Sequence, residues 1–66
     1  MDEIDIWRTA HLLMKQHGED AGFVAAQRAD ALLAEGDHLG CSVFVKIARA
    51  IETLRREKPR DGQALN

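Results

Sequence analysis

The sequence predicts an all-α protein, a small up-down-up three-helix bundle with helices at about 3–17, 20–35 and 38–57, and three observations lead there. Apolar residues recur every three or four positions through most of the chain, which is the spacing of one helical face. No stretch alternates apolar with polar residues as a half-buried strand would. Gly18 and Gly36 each interrupt the helical pattern, and a glycine just past the last periodic residue is the commonest way a helix ends.

In the first helix Ile6, Trp7, Ala10, Leu13, Met14 and His17 form one inward stripe. Asp2 stands where an N-cap belongs, and Asp5, three residues on, partly imitates the carboxylate of a capping box. The second helix restarts at Glu19 or Asp20, with Ala25, Ala26, Ala29, Leu32 and Leu33 inward. So much alanine implies a close approach between helices. The third begins near Asp37, turns Leu39, Val43, Phe44, Ile47, Ile51 and Leu54 inward and ends near Glu57, because Pro59 opposes further helix. Connections this short make neighbouring helices antiparallel. The charges agree with these directions: Asp2, Glu3, Glu19, Asp20 and Asp37 gather at helix starts, and Arg55, Arg56 and Lys58 at the last end, each favoured by the helix dipole. Residues 1–58 are therefore expected to form the three-helix domain and 59–66 a flexible polar tail.

A chain of 66 residues lies near the lower limit for a single core, since it buries only about 60% of the surface its unfolded form exposes. Help from a partner chain is expected. With 45% hydrophobic and 30% charged residues the composition is globular rather than disordered. The single cysteine can form no internal disulfide, and the acids of Met1 to Asp5 do not resemble the basic start of a signal peptide. The expected location is the cytoplasm. No apolar run approaches the roughly 20 residues that span a bilayer, and a net charge of -2 exerts no overall pull on nucleic acid.

The two corners, Gln16 to Gly22 and Glu35 to Cys41, set histidines and acids around glycines. As phosphate sites they are poor, because Glu19, Asp20 and Asp37 stand where the free N–H groups of a helix start would receive an anion. As a metal site they are incomplete. His38 and Cys41 could share a face but provide two ligands where zinc takes three or four. His11 and His17 point to different sides of the first helix, and the corners lie about 24 Å apart at 1.5 Å per residue. Cys41, in a first helical turn, has the dipole that favours a thiolate, but reads more simply as a small, half-buried apolar residue. His17 is expected to bond the last carbonyls of its own helix, and Arg28 to lay its stem over apolar surface while its guanidinium seeks an acid or water. No nucleophile and base can be assembled, and three short helices leave little concave volume for a substrate. The chain is therefore expected to be no enzyme and to use no cofactor, metal or small-molecule substrate.

Apolar residues left over by a single core are more informative. Phe23 falls at the margin of the second helix's arc, Leu12 lies off the first stripe, and Cys41, Val45 and Ala48 make a second stripe on the third helix. A stripe of this kind on a very small protein signals an interface. Phe23, Cys41, Val45 and Ala48 are the candidate protein-interface residues, and the expected partner is a second copy, giving a homodimer, or another protein. The second reading is nucleic-acid binding through Lys46, Arg49, Arg55, Arg56, Lys58 and Arg60, which crowd the end of the chain. Glu52, Glu57 and Asp61 interrupt them, no aromatic is interleaved, and the third helix does not start like a recognition helix.

The pattern Trp7, Ala10, His17-Gly18, Asp20-Ala21, Arg28-Ala29, Gly36-Asp37, Gly40 and Ile47 to Leu54 resembles a group of short helical proteins of alphaproteobacteria that form a domain of unknown function. The resemblance covers most of the chain up to Leu54 and implies a bacterial cytosolic setting but no activity. Ala29, Leu32, Gly36-Asp37, Cys41, Val45 and Ala48 also resemble one tetratricopeptide hairpin, which would imply protein binding. Here Arg28 stands where a leucine is usual, and no second copy follows at a 34-residue period.

Overall fold

The computed structural model describes residues 2–57. They are helical throughout apart from the ends and one tight turn, with no strand among them. The elements are α1 (Glu3–His17), a single 3-10 turn (Gly18–Asp20), α2 (Ala21–Ala34) and α3 (His38–Glu57). Both the Lys58 end of the expected domain and the polar tail lie outside the described residues.

The expected bundle of three separate helices is corrected at the first corner. The chain stays helical from Glu3 to Ala34, because the 3-10 turn follows α1 directly and α2 follows the turn with no loop on either side. The structure is thus two helical arms, Glu3 to Ala34 and His38 to Glu57, the longer one folded back on itself. The reversal is centred on Gly18, whose φ of 58° and ψ of -126° are a combination that glycine alone takes without strain. Its N–H still donates to the Met14 carbonyl, closing α1.

At the second corner Gly36, φ 82°, ends α2 as expected. The N–H of Gly36 donates to Leu33 O at 3.0 Å and that of Asp37 to Leu32 O at 2.8 Å, the paired bonds of a Schellman motif. Asp37 then caps α3, its Oδ1 accepting the Gly40 N–H at 2.8 Å. The other acidic caps differ from expectation. Asp2 and Asp20 occupy N-cap positions, but neither side chain makes a capping bond. At α1 the Asp2 carbonyl receives the Asp5 and Ile6 N–H groups instead.

The core gathers Ile6, Ala10 and Leu13 from α1, Ala21 and Ala25 from α2, and Ile47, Ala50 and Ile51 from α3. Trp7, Met14, Val24, Val43, Phe44, Ala48 and Leu54 pack around it. Alanine supplies half of this centre because the backbones approach closely, as at Gly22, where an added Cβ would already touch Ile51. Direction follows from neighbours. Glu3, Ile6 and Trp7 share a groove with Lys46, Arg49, Ala50 and Thr53, and His11, Met14 and Lys15 share one with Leu54 and Glu57. So α1 lies along the second half of α3 in the same sense, while α2 runs back against it from Gly22 beside Ile51 to Arg28 over Phe44.

Several inward assignments are also corrected. Leu39 is 78% exposed, and Leu33, Ala26 and His17 are exposed as well. Ala21 and Ala50, which the apolar pattern passes over, are buried. Close-packed arms leave room at the seam for methyl groups.

Candidate interaction face

Two helical stripes meet on the outer side of the α2–α3 pair. On α2, Phe23, Ala26, Asp30 and Leu33 follow one another at three- and four-residue spacing, and all are exposed. On α3, Cys41, Val45 and Ala48 do the same and are half-buried, with exposed Glu52 continuing the row. The stripes border one shallow groove lined by Ala26, Ala29, Asp30, Val45, Ala48, Arg49 and Glu52. Its floor is methyl and isopropyl surface, and its rim is charged with both signs.

The structure places the four interface candidates as follows. Val45 and Ala48 line the groove directly. Cys41 lies one turn before Val45 on the same stripe, a free thiol of intermediate exposure. Phe23 stands on the α2 stripe one turn before Ala26, and its ring is 65% exposed, much further out than the margin of a buried arc. Leu12 is half exposed on α1, away from this groove. The α2 half of the face, Ala26 and Leu33, was assigned inward from the sequence. The signal was present in the spacing of 23, 26, 30 and 33, but an alanine-rich helix has no sharp apolar boundary to show which arc is inside.

The basic residues of the second reading do not act as one cluster. Lys46, Arg49 and Arg56 are exposed along one stripe of α3, at the three- and seven-residue spacing of a helical face. Arg55 points elsewhere, its Nη2 donating to the Glu19 carbonyl at 2.9 Å and joining α3 to the 3-10 turn. Lys58 and Arg60 lie outside the described residues. The aromatic that the sequence did not show beside these cations is there in space: half-buried Trp7 of α1 shares a groove with Lys46 and Arg49, and with Glu3.

The histidines His11, His17 and His38 are all exposed, and among the described residues no three of His, Cys, Asp and Glu come together as a metal-binding set. His17 makes no side-chain hydrogen bond among the described residues, so the expected bond to the end of α1 is not formed. The Arg28 guanidinium carbon lies 5.9 Å from the centre of the Phe44 ring, a cation–π contact that lays this side chain over apolar surface. No helix among the described residues is long and apolar enough to cross a membrane. In comparisons with known proteins, no family model, no curated protein and no solved structure matches the chain.

Proposed function

We propose that this protein is a non-catalytic interaction module that works by self-association or by holding another protein on the outer α2–α3 face. The observation that carries the reading is the pairing of two apolar stripes across one groove, with exposed Phe23 one helical turn before Ala26 on the α2 stripe. A two-fold interface brings the same patch of both copies together, so an exposed aromatic and a floor of small residues on one face offer each copy a ring and a surface to receive it. The likeness to a tetratricopeptide hairpin would imply the same role, protein binding, and the likeness to the alphaproteobacterial helical group would imply a bacterial cytosolic setting but no activity. The groove is open and lined mainly by alanine, valine and charged side chains, which suits contact with another protein surface.

Val45→Glu tests it, because a carboxylate on the groove floor is costly only where a partner removes water. Self-association measured by sedimentation should weaken while the helical circular dichroism of the monomer stays near wild type. A wild type that remains a monomer to millimolar concentration and captures no protein would end this reading.

Trp7 beside Lys46 and Arg49 supports the second reading, nucleic-acid binding by the basic stripe of α3. Titration with generic duplex DNA separates the two, since phosphate contacts make affinity fall steeply with salt. Binding that weakens about tenfold or more between 50 and 200 mM salt would favour the second reading, and no binding would leave the interaction module.

A further inference from the structure

The longer arm turns back at a short segment centred on Gly18. Gly18 has the only positive φ between Glu3 and Ala34 among the described residues; Ala21 beyond it is α-helical, and His17 (φ -118°, ψ -6°) and Asp20 (φ -86°, ψ -1°) stay at negative φ but with ψ near zero. The turn is exposed, and a Cβ built on Gly18 meets nothing within 4 Å. Rotating Gly18 into the helical region, with smaller adjustments at His17 and Asp20 that keep φ negative, would convert Glu3 to Ala34 into one straight helix about 48 Å long at 1.5 Å per residue. The side-chain hydrogen bond that opposes this rotation is the one from Arg55 to the Glu19 carbonyl.

A straightened arm could not keep its own core. Gly22 is level with Ile51, and the turn is level with Arg55, so a straight α1 would run past the end of α3. It would carry Ile6, Ala10 and Leu13 into water and strip the α1 side of Ile47, Ala50 and Ile51 of its cover. A second straightened copy presents the same two surfaces, and each α1 then covers the other's α3. We infer that the chain has a built-in route to a domain-swapped dimer, with Gly18 as the hinge, α1 as the exchanged element and a second copy of this chain as the partner. Every core contact of the monomer is remade between copies, and only the hinge changes, which is why swapping has a low cost. This inference is independent of the outer α2–α3 face, which stays exposed in both forms.

Gly18→Ala tests it. Alanine at positive φ is strained by an amount equivalent to roughly 5- to 150-fold in an equilibrium constant, while alanine in a straight helix is favoured over glycine by about fivefold. Each chain of the dimer gains by both. The variant should therefore dimerise more tightly than the wild type at micromolar concentration, with more elongated small-angle scattering and undiminished helical signal. It should remain a dimer when Val45→Glu is added, whereas a dimer formed through the outer face would dissociate. If strain unfolds the dilute variant, raising its concentration should restore the helical signal, because the swapped form carries no strain. A variant that is a folded monomer at all concentrations, one that stays unfolded at all of them, or one whose dimer is lost with Val45→Glu, would overturn the inference.

Discussion

Replacing Phe23 with alanine separates an aromatic that holds a partner from one that holds the fold. A phenylalanine ring offers on the order of 150–250 Å² for burial, and Phe23 leaves 65% of its surface exposed. About 100–160 Å² thus faces water, equivalent to about 2.5–4 kcal/mol at 25 cal/mol/Å² if a partner covered it completely. Cover in a groove is incomplete and alanine retains part of the contact, so about 1–2 kcal/mol per ring is the expected loss. A two-fold interface contains the ring twice. The dissociation constant of a dimer formed through the α2–α3 face should then rise by about thirty- to several-hundred-fold. The folded monomer should respond in the other direction, because an exposed ring contributes little packing and alanine is the better helix former by up to about 0.7 kcal/mol. Sedimentation equilibrium from micromolar to millimolar concentration reads the first quantity, and thermal unfolding of the dilute protein reads the second. An unchanged dimer constant would remove Phe23 from the interface. A melting temperature lowered by more than about 8 °C, equivalent to more than roughly 1 kcal/mol in a domain of this size, would place the ring in the core and refute the accounting.

Two further substitutions probe the fold that presents this face. Ile47 is fully buried at the centre of the seam, so Ile47→Ala should cost about 2–5 kcal/mol, most of the stability that a domain of this size possesses; a urea midpoint shifted by less than a tenth would contradict the described core. Gly40→Ala places a Cβ 2.6 Å from Asp37 Oδ2, so the carboxylate must swing away and α3 loses its cap; stability should fall by about 0.5–1 kcal/mol despite alanine's helix propensity, and the Asp37→Ala, Gly40→Ala double variant should be no less stable than Asp37→Ala alone.

Where the chain is helical, and where α2 and α3 end and begin, was legible without coordinates. Gly36, Asp37 and Gly40 act within a few residues of one another, and a Schellman motif followed by a carboxylate cap needs no tertiary partner. Gly18 was legible as a helix end and a reversal of direction, but not as a 3-10 turn that joins α1 to α2 without a loop. A 3-10 turn and a loop of three residues have nearly the same local sequence, and which one forms depends on the angle at which α1 is drawn onto α3. The outer face was legible on α3, where valine and alanine stand out among charges, and was missed on α2, where inner and outer arcs are both rich in alanine.

The sequence by itself determined the helices, their caps and the glycine positions, because those depend on hydrogen bonds and dihedral preferences reaching no more than about five residues along the chain. Tertiary structure alone decided which alanines lie in the seam, that Arg28 stacks on Phe44, that Arg55 reaches back 36 residues to the Glu19 carbonyl, and that Trp7 sits beside Lys46 and Arg49. Burial is a property of a pair of surfaces. A helix specifies which residues share its face, but the neighbour that packs against it selects which part of that face leaves the water.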